Sequence, residues 1–178
     1  MQKKQSGNYI YKRKYMRNRL WSELQQAKFN QIYATLLIGH YRYWLNVINL
    51  AVVIFSIVGA VAGWKVWEIL IPLIACTAIA IISSLKHIIP YLIPSEKQVE
   101  EYDKIADFYC NLYLKFEYLW FNFENNQISE KKMQKQYHDL KQSEREINKL
   151  INKIHKKSNK SLSNQAKEET KTFFKQFY

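Results

Sequence analysis

The sequence predicts an all-α membrane protein: a two-span transmembrane helical hairpin, a cytoplasmic antiparallel helical hairpin and an N-terminal amphipathic helix. Three observations point there. Four Gly and three Pro in 178 residues are too few for the turns of an all-β fold or for a Pro/Gly-rich disordered chain. Charge is segregated: residues 1–43 hold nine Lys/Arg against one Glu, 44–85 hold only Lys65 and Glu68, and 86–178 hold seventeen against thirteen. On both sides of the nearly uncharged block, apolar residues recur at helical steps of three and four.

Taken in order, residues 1–15 read as a basic flexible arm. Residues 16–43 read as an amphipathic cytoplasmic helix, with Leu20, Leu24, Ala27, Gln31 and Thr35 on one face and Ile32 and Leu36 alongside. Residues 44–85 form the transmembrane hairpin. Its first run, 45–62, has eighteen residues without a formal charge, roughly 27 Å of helix against a hydrocarbon layer of about 30 Å. Its second, 66–85, carries one charge, Glu68, and a proline one turn in, Pro72. Tyr41, Tyr43 and Trp44 before the first run, Trp64 and Trp67 in the turn and Tyr91 after the second make aromatic belts at both interfaces. The basic flanks place both termini in the cytoplasm and the turn outside.

Beyond Pro90 and Pro94, Ser95 and Gln98 have the spacing of a capping box. A helix is predicted over 96–123, with Val99, Tyr102, Ala106, Tyr109, Tyr113, Phe116, Trp120 and Phe123 along one stripe. A second, over 130–157, has Met133, Tyr137, Leu140, Glu144, Ile147, Ile151 and Ile154 as a heptad seam with Glu144 as its charged interruption. The connection 124–129 makes them antiparallel neighbours, so 95–157 is a cytoplasmic aromatic-rich helical hairpin. Tyr109, Tyr113, Phe116, Trp120 and Phe123 are either the core of a closed bundle or an interface with another copy or a partner. Residues 158–178 read as a polar linker and an apolar C-terminal tail ending in Phe173, Phe174, Phe177 and Tyr178.

The chemistry is that of a non-enzyme. Gly7, Gly39, Gly59 and Gly63 frame no phosphate-cradling loop. The four His are dispersed, no metal or cofactor site is legible, and two Cys, Cys76 and Cys110, write no disulfide framework. The net charge of +12 concentrates beside a span, where topology and anionic lipid account for it without nucleic acid.

Within the bilayer, Asn46, Asn49 and Ser56 share a face of the first span. They either dock on the second span or, in a homo-oligomer, line an aqueous path. Gly59 and Gly63 continue close to that face, and Cys76, Ala80 and Ser84 form a small-residue strip on the second span, so these five are the candidates for helix packing. Glu68 is the outer-interface charge, with Lys65 as neighbour.

Gly39-His40-Tyr41 at the end of a basic amphipathic helix, two spans joined by the minimal turn 57–67, the exit Ser83-Ser84-Leu85-Lys86 and the stretch Tyr102 to Tyr109 occur in an order that resembles the SLATT family, the SMODS- and SLOG-associating two-transmembrane effector domains of bacteria. The likeness covers about residues 16–157. It implies a multi-pass protein of the bacterial inner membrane that perforates the bilayer in nucleotide-signalled antiphage defence. No appended sensor or synthase domain is expected from this sequence, so the implied trigger is either a separate sensor or nucleotide-synthase protein or a ligand. The alternative is a non-conducting membrane anchor that recruits a soluble partner through its aromatic helices.

Overall fold

Helix is the only regular structure among the described residues, which in this computed structural model are 2–61, 77, 95–154 and 158–178, with side chains described for 12–54, 57, 77, 95–154 and 158–178. Among the described residues four helices have defined bounds, in order α1 (Gln2–Val61), α2 (Glu96–Glu124), α3 (Glu130–Ile154) and α4 (Lys160–Phe177). They contribute to two compact units, Met1–Leu36 with Tyr102–Tyr178, and Leu37–Glu101.

The larger unit is a four-helix bundle, and its polar contacts state the directions. Arg13 meets Phe123 and Lys28 meets Tyr113, so α1 and α2 are antiparallel. Lys12 pairs with Glu130 and Glu23 with Lys141, so α1 and α3 run parallel. Tyr33 accepts from the Asn159 amide while Trp21 meets Tyr178, which makes α4 antiparallel to α1. The core is filled by Met16, Leu20, Leu24 and Ala27 of α1, Tyr102, Ile105, Tyr109, Leu112, Tyr113, Phe116, Leu119 and Phe123 of α2, Met133 and Tyr137 of α3, and Ala166 and Phe174 of α4.

Residues 2–15, expected as a flexible arm, are the first turns of α1. A helix propagates cheaply once nucleated, and from residue 12 onward this segment is docked. Met16 is buried. The Arg13 guanidinium donates 2.8 Å to the Phe123 carbonyl and lies 5.0 Å over the Phe123 ring. That carbonyl sits at the C-terminus of α2, where a cation meets the negative end of the helix dipole. Further along α1 the buried line runs through Ala34, and Thr35 faces outward, its hydroxyl donating to the Gln31 carbonyl.

The capping box forms as expected: the Ser95 amide donates 2.9 Å to Gln98 Oε1, and the Gln98 amide donates 3.4 Å to Ser95 Oγ. The 124–129 connection closes with the Gln127 amide on the Asn122 carbonyl (2.8 Å), the Asn126 amide on the Phe123 carbonyl (3.3 Å), and Asn126 left-handed at φ 57°. This is a Schellman cap with asparagine where glycine is commonest. Asn126→Gly is therefore expected to leave stability unchanged within about 0.5 kcal/mol, whereas Asn126→Ala lowers it by about 1 kcal/mol, since a Cβ without a compensating amide is disfavoured there. Chemical denaturation of the two variants checks this.

Residues 158–165, expected as a linker, hold the start of α4. Asn159 is its N-cap, its side chain accepting from the Ser161 and Leu162 amides. From there Leu162, Ala166, Thr170 and Phe174 recur every four residues. Ala166, Thr170 and Phe174 are buried, and the apolar tail is one face of a packed helix.

Candidate functional site

In the unit Leu37–Glu101, α1 turns an apolar face outward. Tyr43, Val47, Leu50, Ile54 and Ile57 recur at steps of four and three, with Trp44 and Val53 beside them, and all seven are exposed, Tyr43 and Leu50 by 63% and 61%. An apolar stripe of that extent is unfavourable in water, and such surfaces mark membrane or protein contact. Its aromatic end is a ring cluster of His40, Tyr41, Tyr43 and Trp44, with His40 6.4 Å from Trp44 and Tyr43 5.9 Å from it. Among the described residues no helix is long and apolar enough to cross a membrane. The described side chains of the first apolar run end at Ile57, and the second run lies outside the described residues apart from Thr77.

Asn46 and Asn49 are both exposed and continue with Val53 along the flank of that stripe. The backbone of Ser56 and Gly59 is helical within α1, and the Ser56 side chain lies outside the described residues. Gly63, Glu68, Cys76, Ala80 and Ser84 also lie outside them.

The aromatic residues with two readings fall inside the bundle, which corrects their assignment as an oligomer or partner interface. Tyr109, Tyr113, Phe116 and Phe123 are buried, Phe116 to 1% exposure, and Trp120 is half-buried. The physical reason is that α1 and α4 both pack on the stripe that a lone hairpin would leave open. Trp21 of α1 is the hub, with ring centroids 5.2 Å from each of Trp120, Phe174 and Tyr178. Tyr113 and Phe173 meet edge to face at 5.9 Å, and the Lys28 ammonium lies 4.8 Å and 4.1 Å over their rings. Burial among those rings holds the Lys28 ammonium below the ordinary lysine value, with the charges of Cys110 and Glu117 acting against it. The Tyr178 hydroxyl donates to Glu117, as does that of Tyr113, and the two phenols lie 3.2 Å apart. Thus Tyr178, the C-cap of α4, is tied to the middle of α2.

A polar network joins α1 to α3. Tyr137 donates 2.8 Å to Glu23 and accepts 2.9 Å from Arg19, whose guanidinium lies 4.6 Å over the Tyr137 ring. Lys141 donates to Glu23 at 3.0 Å and to Glu144. The charge that interrupts the heptad seam is thereby paired where it is buried, as a buried carboxylate requires. Burial alone would lower the Lys141 ammonium, but its two carboxylate partners outweigh that and raise it. On the other side of the seam Tyr109 donates 3.1 Å to Asn148 Oδ1.

Burial, then the nearby Glu144 charge, pushes the Tyr109 phenol up to about 12 from an ordinary 10. Burial and the Glu23 hydrogen bond raise Tyr137. Burial and the Glu117 hydrogen bond raise both Tyr113 and Tyr178. A phenol raised in the folded state binds its proton more tightly there than in the unfolded chain. Its contribution is therefore complete below pH 10 and is lost as pH climbs through the folded value. The bundle should lose stability between pH 10 and about pH 12, with tyrosinate absorbance rising together with loss of helical signal. Ionisation of these tyrosines at the ordinary value, with helix retained, would contradict it.

Trp21, Lys28 and Glu23, which organise this bundle, were not legible as site residues, because nothing in one helix's spacing tells which aromatic face another helix will cover. The signal for α4 was present, however: an Asn followed by a four-residue repeat. Among the described residues no group of three or more His, Cys, Asp or Glu converges as a metal site. No known protein family, curated protein or solved structure matches the chain.

Proposed function

We propose that this protein is a membrane effector. The stretch 44–85 sits in the bilayer as a two-span hairpin, and the helical bundle lies on the cytoplasmic face of a bacterial inner membrane. Copies assemble into a pore or lesion when a partner protein or nucleotide signal binds. The observation that carries this reading is the outward-facing apolar stripe of α1 from Tyr43 to Ile57, which falls almost wholly within the run 45–62, eighteen residues without a formal charge. Lipid removes that stripe from water, and the exposed amides of Asn46 and Asn49 then need either polar partners on neighbouring helices or a water-filled path. The role in antiphage defence rests on the resemblance to the SLATT family, not on the stripe. A trigger acts only through unequal affinity for the closed and open assemblies.

Overexpression of the full chain in bacteria loaded with a potential-sensitive dye, at levels where mass action assembles copies without the trigger, tests the proposal. Depolarisation and growth arrest are expected, and Asn49→Leu with Ser56→Leu should abolish the leak while leaving the protein in the membrane fraction. Recovery of the chain as a detergent-free monomer from a high-speed supernatant would overturn the proposal. A second reading, a non-conducting anchor that recruits a soluble partner, is favoured by the apolar residues Leu114, Tyr118 and Phe121, which α2 leaves exposed. That anchor would sit in the membrane without depolarising the cell.

A further inference from the structure

With the inner aromatic stripe of α2 consumed by the core, its outer side carries a second stripe. Leu114, Tyr118 and Phe121, spaced by four and three, are 51%, 69% and 50% exposed. Beside it, α2 and α3 enclose a groove of about 470 Å³, lined by Leu114, Lys115, Tyr118, Gln136, Asp139 and Leu140 among others. Its two charges are opposite in sign, one on each helix. Neither Lys115 nor Asp139 has an ion pair or hydrogen-bonding partner among the described residues.

We infer that this groove is the contact between two copies of the chain, related by a two-fold axis, with Lys115 of each copy facing Asp139 of the other. An acidic ligand would meet Asp139 and a basic one would meet Lys115, so either gains one charge and is opposed by the other. Anionic lipid is opposed by Asp139 in the same way. The surface that satisfies both is the same surface turned over: a two-fold contact places each residue against its counterpart's partner. The apolar stripe suits that contact, because helix side chains at four- and three-residue spacing interdigitate with another helix. Tyr118, the most exposed of the stripe, would pack near the axis and become buried. The inference deepens the oligomer of the proposed function; it rests on that reading's self-association and not on conductance.

Charge exchange tests it, with differently tagged full-length copies co-purified in detergent. Wild-type copies should co-purify. K115D paired with itself places Asp against Asp, and D139K paired with itself places Lys against Lys, so each should co-purify roughly tenfold less. K115D mixed with D139K restores both opposite-charge contacts and should recover the wild-type yield, which also shows that both variants fold. Independently, Tyr118→Cys in a chain with Cys76 and Cys110 replaced by alanine should give a disulfide-linked dimer. Undiminished self-pairing of the single variants, no recovery in the mixture, or cross-linking of Cys at 118 to a different protein would overturn the inference. Pairing is read by co-purification and the membrane lesion by the dye, so each fails separately.

Discussion

Phe116→Ala is expected to lower the unfolding free energy of the bundle by about 3–5 kcal/mol. The side chain is 1% exposed and lies on α2 where that helix faces α3, its ring 6.2 Å from Tyr137. Truncation removes the apolar transfer term and leaves a cavity as well. The cavity closes only if helices move. Tyr137 is held from the other side by Glu23 and Arg19, so it cannot follow the lost ring without giving up hydrogen bonds inside the bundle. The comparison is Phe121→Ala on the outer side of the same helix, which is 50% exposed and should change stability by less than about 0.5 kcal/mol. Denaturant unfolding followed by helical signal separates them, and equal midpoints would show that the core lies elsewhere.

Trp21→Ala should cost about 3 kcal/mol, the lower end for a large aromatic because Trp21 is half-buried. Its effect should be local. Trp21 supplies the edge-to-face contacts that seat Phe174 and Tyr178. Without it α4 keeps the Tyr113 to Phe173 contact, the Glu117 hydrogen bond and the Asn159 amide on Tyr33. The buried Trp120 indole N–H has no acceptor among the described residues, and water entering the vacated space would satisfy it, which limits the loss. Amide hydrogen exchange is the measurement. Protection should fall across Lys160–Phe177 while α2 and α3 keep theirs. Uniform loss along all helices would mean that α4 is not a separable layer of the bundle.

How much of this was readable before folding varies by element. The hairpin of α2 and α3 was legible almost to its ends, because a capping box at Ser95, an aromatic stripe and a heptad seam are local signals and a six-residue connection leaves one arrangement for their helices. The predicted end at Phe123 compares with Glu124, and the predicted end at Lys157 lies outside the described residues, which reach Ile154 in α3. The helical state of residues 2–15 was not legible, since their basic composition is equally that of a solvated arm. What docks the described side chains of that segment includes Arg13 on a carbonyl 110 residues away. α4 reads as a linker and tail because its polar composition hides the four-residue repeat of Leu162, Ala166, Thr170 and Phe174.

The chain's own order of residues determined that it is helical, where the turn between α2 and α3 falls, and that one stretch is apolar enough to seek something other than water. Those properties depend on neighbours a few positions away. Only the tertiary structure decided that the α2 stripe through Tyr113 and Phe116, readable either as core or as an interface, is core, with Leu114 and Tyr118 left exposed. The choice was made by Trp21, Leu24 and Phe174 arriving from the two ends of the sequence, because burial is a property of what a surface meets and a single helix carries no record of that.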